Sequence, residues 1–178
     1  MLKNYEFPAR FRALYTLAVE SHAHGKRSAE AIFSTEDTAW LAANGITPQH
    51  LFDYAEDHNQ YDGEPSLEHA LSIELIRRDY FLNTQQGHAS RSTLDESKLP
   101  AKGESVQGIR WLPRLIPKAQ AKLRGELPST LMYCCGGDRK FFKEHNILPA
   151  EFLSLIWRHE DSESAVVDWV SSRSAAKA

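Results

Sequence analysis

The sequence predicts an all-α protein made of two tandem helical repeats of about four helices each, packed into one compact unit. Apolar residues recur at helical spacing in both halves of the chain, and no long stretch alternates in the way strands do. Two segments, residues 37–52 and 138–153, also share one pattern: an aspartate, an apolar pair three residues later, and Ile-x-Pro before a second apolar pair. A polar stretch, residues 83–108, lies between them. Together these observations favour an internal duplication.

The first predicted repeat covers residues 1–82. Its helix signals are a glycine stop and three polar or acidic starts, one of them followed directly by proline. The predicted stop is Gly25, and the predicted starts are Asp37, Thr47 and Ser66. Apolar side chains on the inner faces of these helices are expected to share one core. They are Leu14, Ala18, Trp40, Leu51 and Leu71.

The predicted linker, residues 83–108, has no aromatic residue and is rich in Gly, Ser, Thr, Lys and Glu. This composition is typical of a solvated connection. Two forms are open for it, a flexible tether and an ordered strap that lies on the surface. A connection of this length usually separates two structural units.

The second predicted repeat covers residues 109–178. Asp138 is predicted to cap its second helix and Pro149 to open its third, as Asp37 and Pro48 do in the first repeat. Pro117 means that the first helix of this repeat either begins there or is kinked there. The residues predicted to share its core are Leu115, Ala119, Phe141, Phe152, Trp157 and Val170. Residues 128–135 have the one plausible strand pattern.

Composition excludes several classes of protein. The formal net charge is −3, so nothing attracts the chain as a whole to nucleic acid or to an anionic membrane surface. No apolar run is long enough to span a bilayer, and the N-terminal residues lack the apolar core of a signal peptide. The only cysteines, Cys134 and Cys135, are adjacent and poorly placed for a disulfide with each other. We therefore expect a reduced, cytoplasmic protein.

The second half resembles a bacterial family known as domain of unknown function 5069. The resemblance rests on basic residues followed by a Gly-x-Leu, an Asp-x-x-Phe segment, and an acidic turn before a Trp-Val ending. The matching positions are Arg114, Lys118, Gly125, Leu127, Asp138, Phe141, Phe142, Ile147, Asp161, Trp169 and Val170. Gln120 departs from the family pattern, which usually has a second basic residue near there. The resemblance implies a small helical bacterial protein and brings no established activity; the first half looks like a diverged internal repeat.

A row of basic residues is the first candidate site. Arg110, Arg114, Lys118 and Lys122 are spaced by four and therefore share one helix face. One interpretation is an anion site in which these side chains clamp a phosphate or carboxylate. The other is a solvated face opposite the core.

The segment from Tyr133 to Arg139 is the second candidate, because a helix N-terminus follows its two glycines and favours anions. Two function classes follow. One is a binding or interaction module for a small anionic ligand, and the alternative is a small enzyme that acts on an anionic metabolite through Cys135 or Asp138. Buried, inert cysteines in a loop are also consistent with the pattern. The full candidate set is Arg114, Lys118, Tyr133, Cys135, Gly136, Gly137, Asp138 and Arg139. We expect no metal site and no cofactor, since the histidines lack ligand spacing.

Overall fold

A computed structural model of the protein describes residues 4–175 and confirms the all-α class. A 3₁₀ turn at Asn4–Glu6 leads into the helices of the first half, which are α1 (Phe7–Ala23), α2 (Ala29–Ile32), α3 (Thr35–Ala43), α4 (Pro48–Gln60) and α5 (Leu67–Asp79), with a π-helical turn at Tyr80–Thr84. The helices of the second half are α6 (Leu112–Arg124), α7 (Gly136–His145), α8 (Pro149–Arg158) and α9 (Glu163–Ala175). No helix in the described part of the chain is long and apolar enough to cross a bilayer.

Two of the predicted helix starts are confirmed by side-chain caps. The hydroxyl of Thr47 accepts a hydrogen bond from the backbone N–H of His50 at the start of α4. The hydroxyl of Ser66 accepts one from His69 at the start of α5. Each bond satisfies one of the amide groups that a helix leaves unpaired at its N-terminus.

The two aspartates predicted as caps are not caps, because each lies at the third helical position. In α3 the cap is Ser34, and Asp37 accepts the Ser34 backbone N–H in return, which makes a capping box. In α7 the residue before the helix is Cys135, and Asp138 is fully buried. The shared aspartate therefore marks a first helical turn in both halves, and it is partly exposed in α3 and fully buried in α7.

The predicted core residues of each half are confirmed. One cluster contains Leu14, Ala18, Leu51 and Leu71 with Trp40 packed against it, and the other contains Leu115, Ala119, Phe141, Phe152 and Val170 with Trp157 packed against it. Helix α5 serves both clusters, since Leu71 belongs to the first and Ile73 to the second. It packs against α8 and α6 of the second half. The internal duplication and the division into two domains stay predictions.

Of the two forms open for the predicted linker, residues 83–108 have the ordered strap on the surface. The backbone N–H of Leu94 donates to the carbonyl of Glu126 at 2.8 Å, and Leu99 is buried. The strap ends in a short antiparallel hairpin, β1 (Ser105–Val106) with β2 (Ile109–Arg110). Its two turn residues both have positive φ, as tight hairpin turns require.

Helix α6 runs through Pro117 and begins five residues before it, at Leu112. The proline is the sixth residue of the helix, and since it has no N–H, the carbonyl of Pro113 four residues earlier lacks its usual helical donor. Residues 128–135, which have the plausible strand pattern, form turns in the loop between α6 and α7. This loop brings the cysteines against the inner face of α6.

Candidate functional site

The predicted basic row is not one solvent-exposed ridge on a helix, because Arg110 lies in β2, before α6 begins. Lys118 and Lys122 are 2% and 1% exposed, because the first half of the chain and the start of α7 cover this face of the helix. Arg114 donates instead to the carbonyl of Pro100 in the strap, at 2.9 Å. A buried ammonium group is costly without a counter-ion. Each lysine accordingly has its own carboxylate.

The first of these two ion pairs joins Lys118 to Asp138, and we call it the cleft pair. The Lys118 Nζ–Asp138 Oδ2 distance is 2.7 Å. The same Asp138 oxygen accepts the backbone N–H of Cys134 at 2.8 Å, and Oδ1 accepts the indole N–H of Trp111 at 3.0 Å. Three donors therefore hold a carboxylate that has no contact with water.

The thiol of Cys135 completes this arrangement. Lys118 Nζ lies 3.2 Å from Cys135 Sγ, within reach of a hydrogen bond from nitrogen to sulfur. Burial lowers the pKa of Lys118, but the charges of Asp138 and of the Cys135 sulfur outweigh it, so the net pKa is raised and the amine is held as ammonium. The Cys135 thiol, the Lys118 ammonium and the Asp138 carboxylate thus form one chain of contacts.

The neighbouring cysteine has a different environment. Cys134 is fully buried, and burial together with the charge of Asp138 raises the pKa of its thiol well above the usual range. Cys135 is partly exposed. Of the two cysteines, only Cys135 combines access to solvent with a contact to a cation.

Cys135 and Lys118 line a cleft of about 410 Å³ between α4 and the loop that joins α6 to α7, which we call the thiol cleft. This volume is in the range that suits small molecules. The residues that line it are Gln49, Asp53, Glu56, Asp57, Lys118, Ser129, Thr130, Leu131, Met132 and Cys135. Its α4 wall carries three carboxylates, so the cleft has the opposite charge from the predicted anion site.

Asp53 is the carboxylate of this wall that the protein leaves without a cation. Its Oδ1 accepts a hydrogen bond from the Gln49 amide at 2.7 Å, and no ion pair joins it to another described residue. Burial is the main cause that raises the pKa of Asp53 to about 6. The wall therefore holds a carboxylate whose negative charge is disfavoured by burial.

The second ion pair joins Lys122 to Glu74, and we call it the sealed pair because both side chains are at most 1% exposed. Tyr54 donates to the same Glu74 oxygen at 2.8 Å. His50 Nδ1 lies 3.1 Å from Lys122 Nζ, and burial followed by the Lys122 charge lowers the pKa of His50 to about 3. His50 is therefore neutral and accepts from Lys122, which leaves this network without a nucleophile or a route to solvent.

A second cleft, of about 640 Å³, lies where the loop between α4 and α5 meets α7, α8 and the end of α9. Its floor is apolar, and its rim carries more cations than anions. The residues that line it are Glu64, His69, Arg139, Phe142, Lys143, Asn146, Ile147, Leu148, Pro149, Glu151 and Arg173. Leu148 is 60% exposed at its edge. We call it the second cleft.

The structure brings Lys118, Cys135 and Asp138 together out of the eight predicted site residues. Three others have structural contacts: Arg114 to the strap, Tyr133 by donating to the Pro149 carbonyl at 2.8 Å, and Arg139 by pairing with Asp57 at 2.6 Å. Gly137 lies against the ring of Trp111, and a side chain at Gly136 would meet only the guanidinium of Arg139, at 3.8 Å.

Sequence reasoning missed the acidic wall of the thiol cleft. Gln49, Asp53 and Asp57 recur every four residues and so share one face of α4. That spacing was readable, but nothing in the sequence placed this face opposite Cys135. Within residues 4–175, no cluster of three or more histidine, cysteine or carboxylate side chains is arranged to hold a metal ion.

Comparison of the chain with protein-family models, with curated proteins and with solved structures finds no match in any of the three. The resemblance to domain of unknown function 5069 therefore stays a prediction, and the geometry of the thiol cleft is the basis for any statement about function.

Proposed function

We propose that the protein is a small thiol-dependent enzyme in which Cys135 attacks an electrophilic carbonyl carbon of a substrate bound in the thiol cleft. The observation that carries the proposal is the position of Lys118 Nζ, 3.2 Å from Cys135 Sγ and 2.7 Å from Asp138 Oδ2. Sequence spacing left the nucleophile, its activating group and the orienting group unconnected, and this lysine connects them.

The roles follow from charge. The Lys118 ammonium stabilises negative charge on the Cys135 sulfur, and the thiol proton leaves through the open cleft to solvent. The sulfur then forms a bond to the carbonyl carbon, the bond to the leaving group breaks, and a thioester remains. Water hydrolyses the thioester to a carboxylic acid and returns the thiol. Asp138 keeps Lys118 in place.

The acidic wall supports a substrate with a positively charged amino group. An ammonium group beside Asp53 would supply a direct ion-pair partner, which Asp53 lacks among the described residues because Lys122 favours its charged form without contacting it. Glu56 on the same wall adds to the negative potential, whereas the charge of Asp57 is balanced by Arg139. This proposal differs in the sign of charge from the anionic metabolite expected from sequence.

The test uses two activated esters with the same acyl length, the p-nitrophenyl esters of glycine and of acetic acid. Only the glycine ester carries an ammonium group. We expect release of p-nitrophenol and an acyl adduct on Cys135, detected by mass spectrometry. The ratio of the glycine rate to the acetate rate should exceed the ratio measured for free glutathione.

Variants separate the two parts of the proposal. Cys135→Ser should abolish the adduct, while Cys134→Ser should keep it. Asp53→Asn should lower the glycine-to-acetate ratio toward that of glutathione without removing the acetate reaction. A protein that forms no adduct, or forms it on Cys134, contradicts the proposal.

We also propose a second candidate function, the binding of a small anionic ligand in the second cleft. It is favoured by the buried apolar residues that line this cleft beside Lys143 and Arg173, whose side chains are 66% and 42% exposed. Both cations are paired with carboxylates, Glu64 and Glu151, so a ligand carboxylate would share or replace those partners. A ligand with a short alkyl chain and one carboxylate matches this combination.

Octanoate and octylamine test this binding, because they share a chain and differ in charge. Thermal melts should show stabilisation by octanoate and none by octylamine. Arg173→Ala should reduce the octanoate effect. Equal responses to the two compounds would show that the rim does not select charge.

A further inference from the structure

We infer that Trp111 is a positioning residue for the proposed thiol site, that it acts through Asp138, and that Gly137 is a glycine because the Trp111 ring occupies the space of a side chain there. The inference rests on the proposed role of Cys135. In this role Trp111, which directly follows β2, affects the reactivity of the Cys135 thiol.

The indole of Trp111 is held at two points. Its Nε1–H donates to Asp138 Oδ1 at 3.0 Å. Its six-membered ring lies directly over Gly137, where an added Cβ would come within 2.4 Å of ring atom Cζ2. Real Cβ contacts do not approach so closely, so any larger residue at position 137 displaces the ring from this place.

The backbone of Trp111 is strained, and backbone hydrogen bonds on both sides hold it in that conformation. Its φ and ψ are 73° and −28°, in the left-handed region that large side chains rarely adopt. Its N–H donates to the carbonyl of Glu104 at 3.1 Å, and its own carbonyl accepts from Leu115 in α6 at 3.0 Å. Strain of this kind persists where surrounding contacts enforce it, and such positions concentrate at functional sites.

The indole contact has a defined consequence for Lys118. The carboxylate of Asp138 can rotate about its last side-chain bond, which would exchange its two oxygens. Oδ2 accepts hydrogen bonds from the Lys118 ammonium and from the Cys134 backbone N–H. Oδ1 accepts one from the indole N–H, so the carboxylate cannot rotate without breaking that bond as well. With the carboxylate fixed, Lys118 stays in contact with Cys135 Sγ.

The test measures the pH dependence of Cys135 alkylation by iodoacetamide, followed by mass spectrometry in a Cys134→Ser background. Trp111→Phe keeps a ring over Gly137 but removes the indole N–H. We expect the pH of half-maximal rate to rise by about half a unit or more. Trp157→Phe, a matched loss of an indole in the core of the second half, should leave the profile unchanged.

A second variant disturbs the hydrogen bond between Trp111 and Asp138 through Gly137. Gly137→Ala keeps the indole but displaces the ring, so it should raise the half-maximal pH in the same direction. This variant decides the question if Trp111→Phe does not fold. A profile that coincides with the wild type in the folded variant, or an equal shift in Trp157→Phe, overturns the inference.

The outcomes for Trp111 and for the enzyme proposal are distinguishable. If the wild type forms the acyl adduct and the Trp111→Phe profile is unshifted, the positioning role alone is wrong. If the wild-type thiol forms no adduct, the proposed function is wrong, and a shifted profile would then show only that Trp111 sets the environment of Cys135.

Discussion

The cleft pair and the sealed pair place the same residue type on the same helix, one turn apart, with opposite results. Lys118 lies between Asp138 and a partly exposed thiol at a cleft, whereas Lys122 lies between Glu74 and a neutral histidine with no opening to solvent. The net pKa of Lys118 is raised. That of Lys122 is lowered by burial, which its contact with Glu74 offsets only in part.

The comparison indicates that the role of a buried lysine depends on what it contacts besides its carboxylate. Both lysines have a carboxylate, because a buried ammonium needs one. Only Lys118 also contacts a group that can react and that a ligand can reach. The sealed pair instead joins the two halves, since Lys122 is on α6 and Glu74 is on α5.

The largest expected effect is a loss of stability when the sealed pair is broken. Lys122→Met leaves the Glu74 carboxylate buried without a cation, and removal of one partner from such a pair costs about 3–5 kcal/mol. Urea unfolding should show this loss, because Lys122 is 1% and Glu74 0% exposed. The double variant Lys122→Met with Glu74→Gln should recover most of the stability.

The double variant also tests whether the sealed pair and the thiol site are independent of each other. The alkylation profile of Cys135 should coincide with that of the wild type in the folded double variant. A shift there would mean that the sealed pair also affects the thiol and that the two sites are not independent.

A second comparison concerns two adjacent glycines at the start of α7. Gly137→Ala pushes a methyl group into the Trp111 ring and should cost about 1–3 kcal/mol. Gly136→Ala meets no atom closer than 3.8 Å and should change the free energy of unfolding by less than about 0.5 kcal/mol. Thermal melts measure both, and equal effects would contradict the close approach at Gly137.

Asp53 gives a prediction that depends on pH. Its pKa rises from an ordinary 3.8 to about 6 in the folded protein, so the folded state binds this proton more tightly. Stability from this group is therefore present below about pH 4 and lost as the pH rises through 6. Asp53→Asn should stabilise the protein by about 1–2 kcal/mol at pH 7.5 and have little effect at pH 4.

Glu56→Gln is the matched control for Asp53, since Glu56 belongs to the same wall of the thiol cleft but its side chain is 43% exposed. Its effect should be below about 0.5 kcal/mol at both pH values. Destabilisation by Asp53→Asn at pH 7.5 would mean that a cation already balances this carboxylate.

Apart from the two control substitutions, Gly136→Ala and Glu56→Gln, the smallest expected effect is at Arg114. Its side chain contacts a strap carbonyl at 2.9 Å, so Arg114→Ala should cost about 0.5–1.5 kcal/mol. Phosphate should stabilise the variant and the wild type equally in thermal melts, because Lys118 is committed to Asp138. A smaller stabilisation of the variant by phosphate would support the anion site that was predicted from the basic row.

The sequence was sufficient for the helices and their inner faces, because caps and apolar spacing are local signals. Thr47 and Ser66 show this most directly. It was also sufficient to name Lys118, Cys135 and Asp138 as candidates. The basic row was misjudged because the four-residue spacing does not say whether a face meets solvent or another helix. The placement of Asp53 opposite Cys135 depends on packing between halves, which no local pattern encodes.

The measurement that tests the account most directly is the pH profile of Cys135 alkylation in two double variants that each remove one ion pair whole. Lys118→Met with Asp138→Asn removes the cleft pair, and Lys122→Met with Glu74→Gln removes the sealed pair, so neither leaves a lone buried charge. The first should move the half-maximal pH up by about one unit or more, and the second should leave it unchanged. A cleft-pair variant that is folded and alkylates with the wild-type profile would contradict the claim that Lys118 and Asp138 control this thiol.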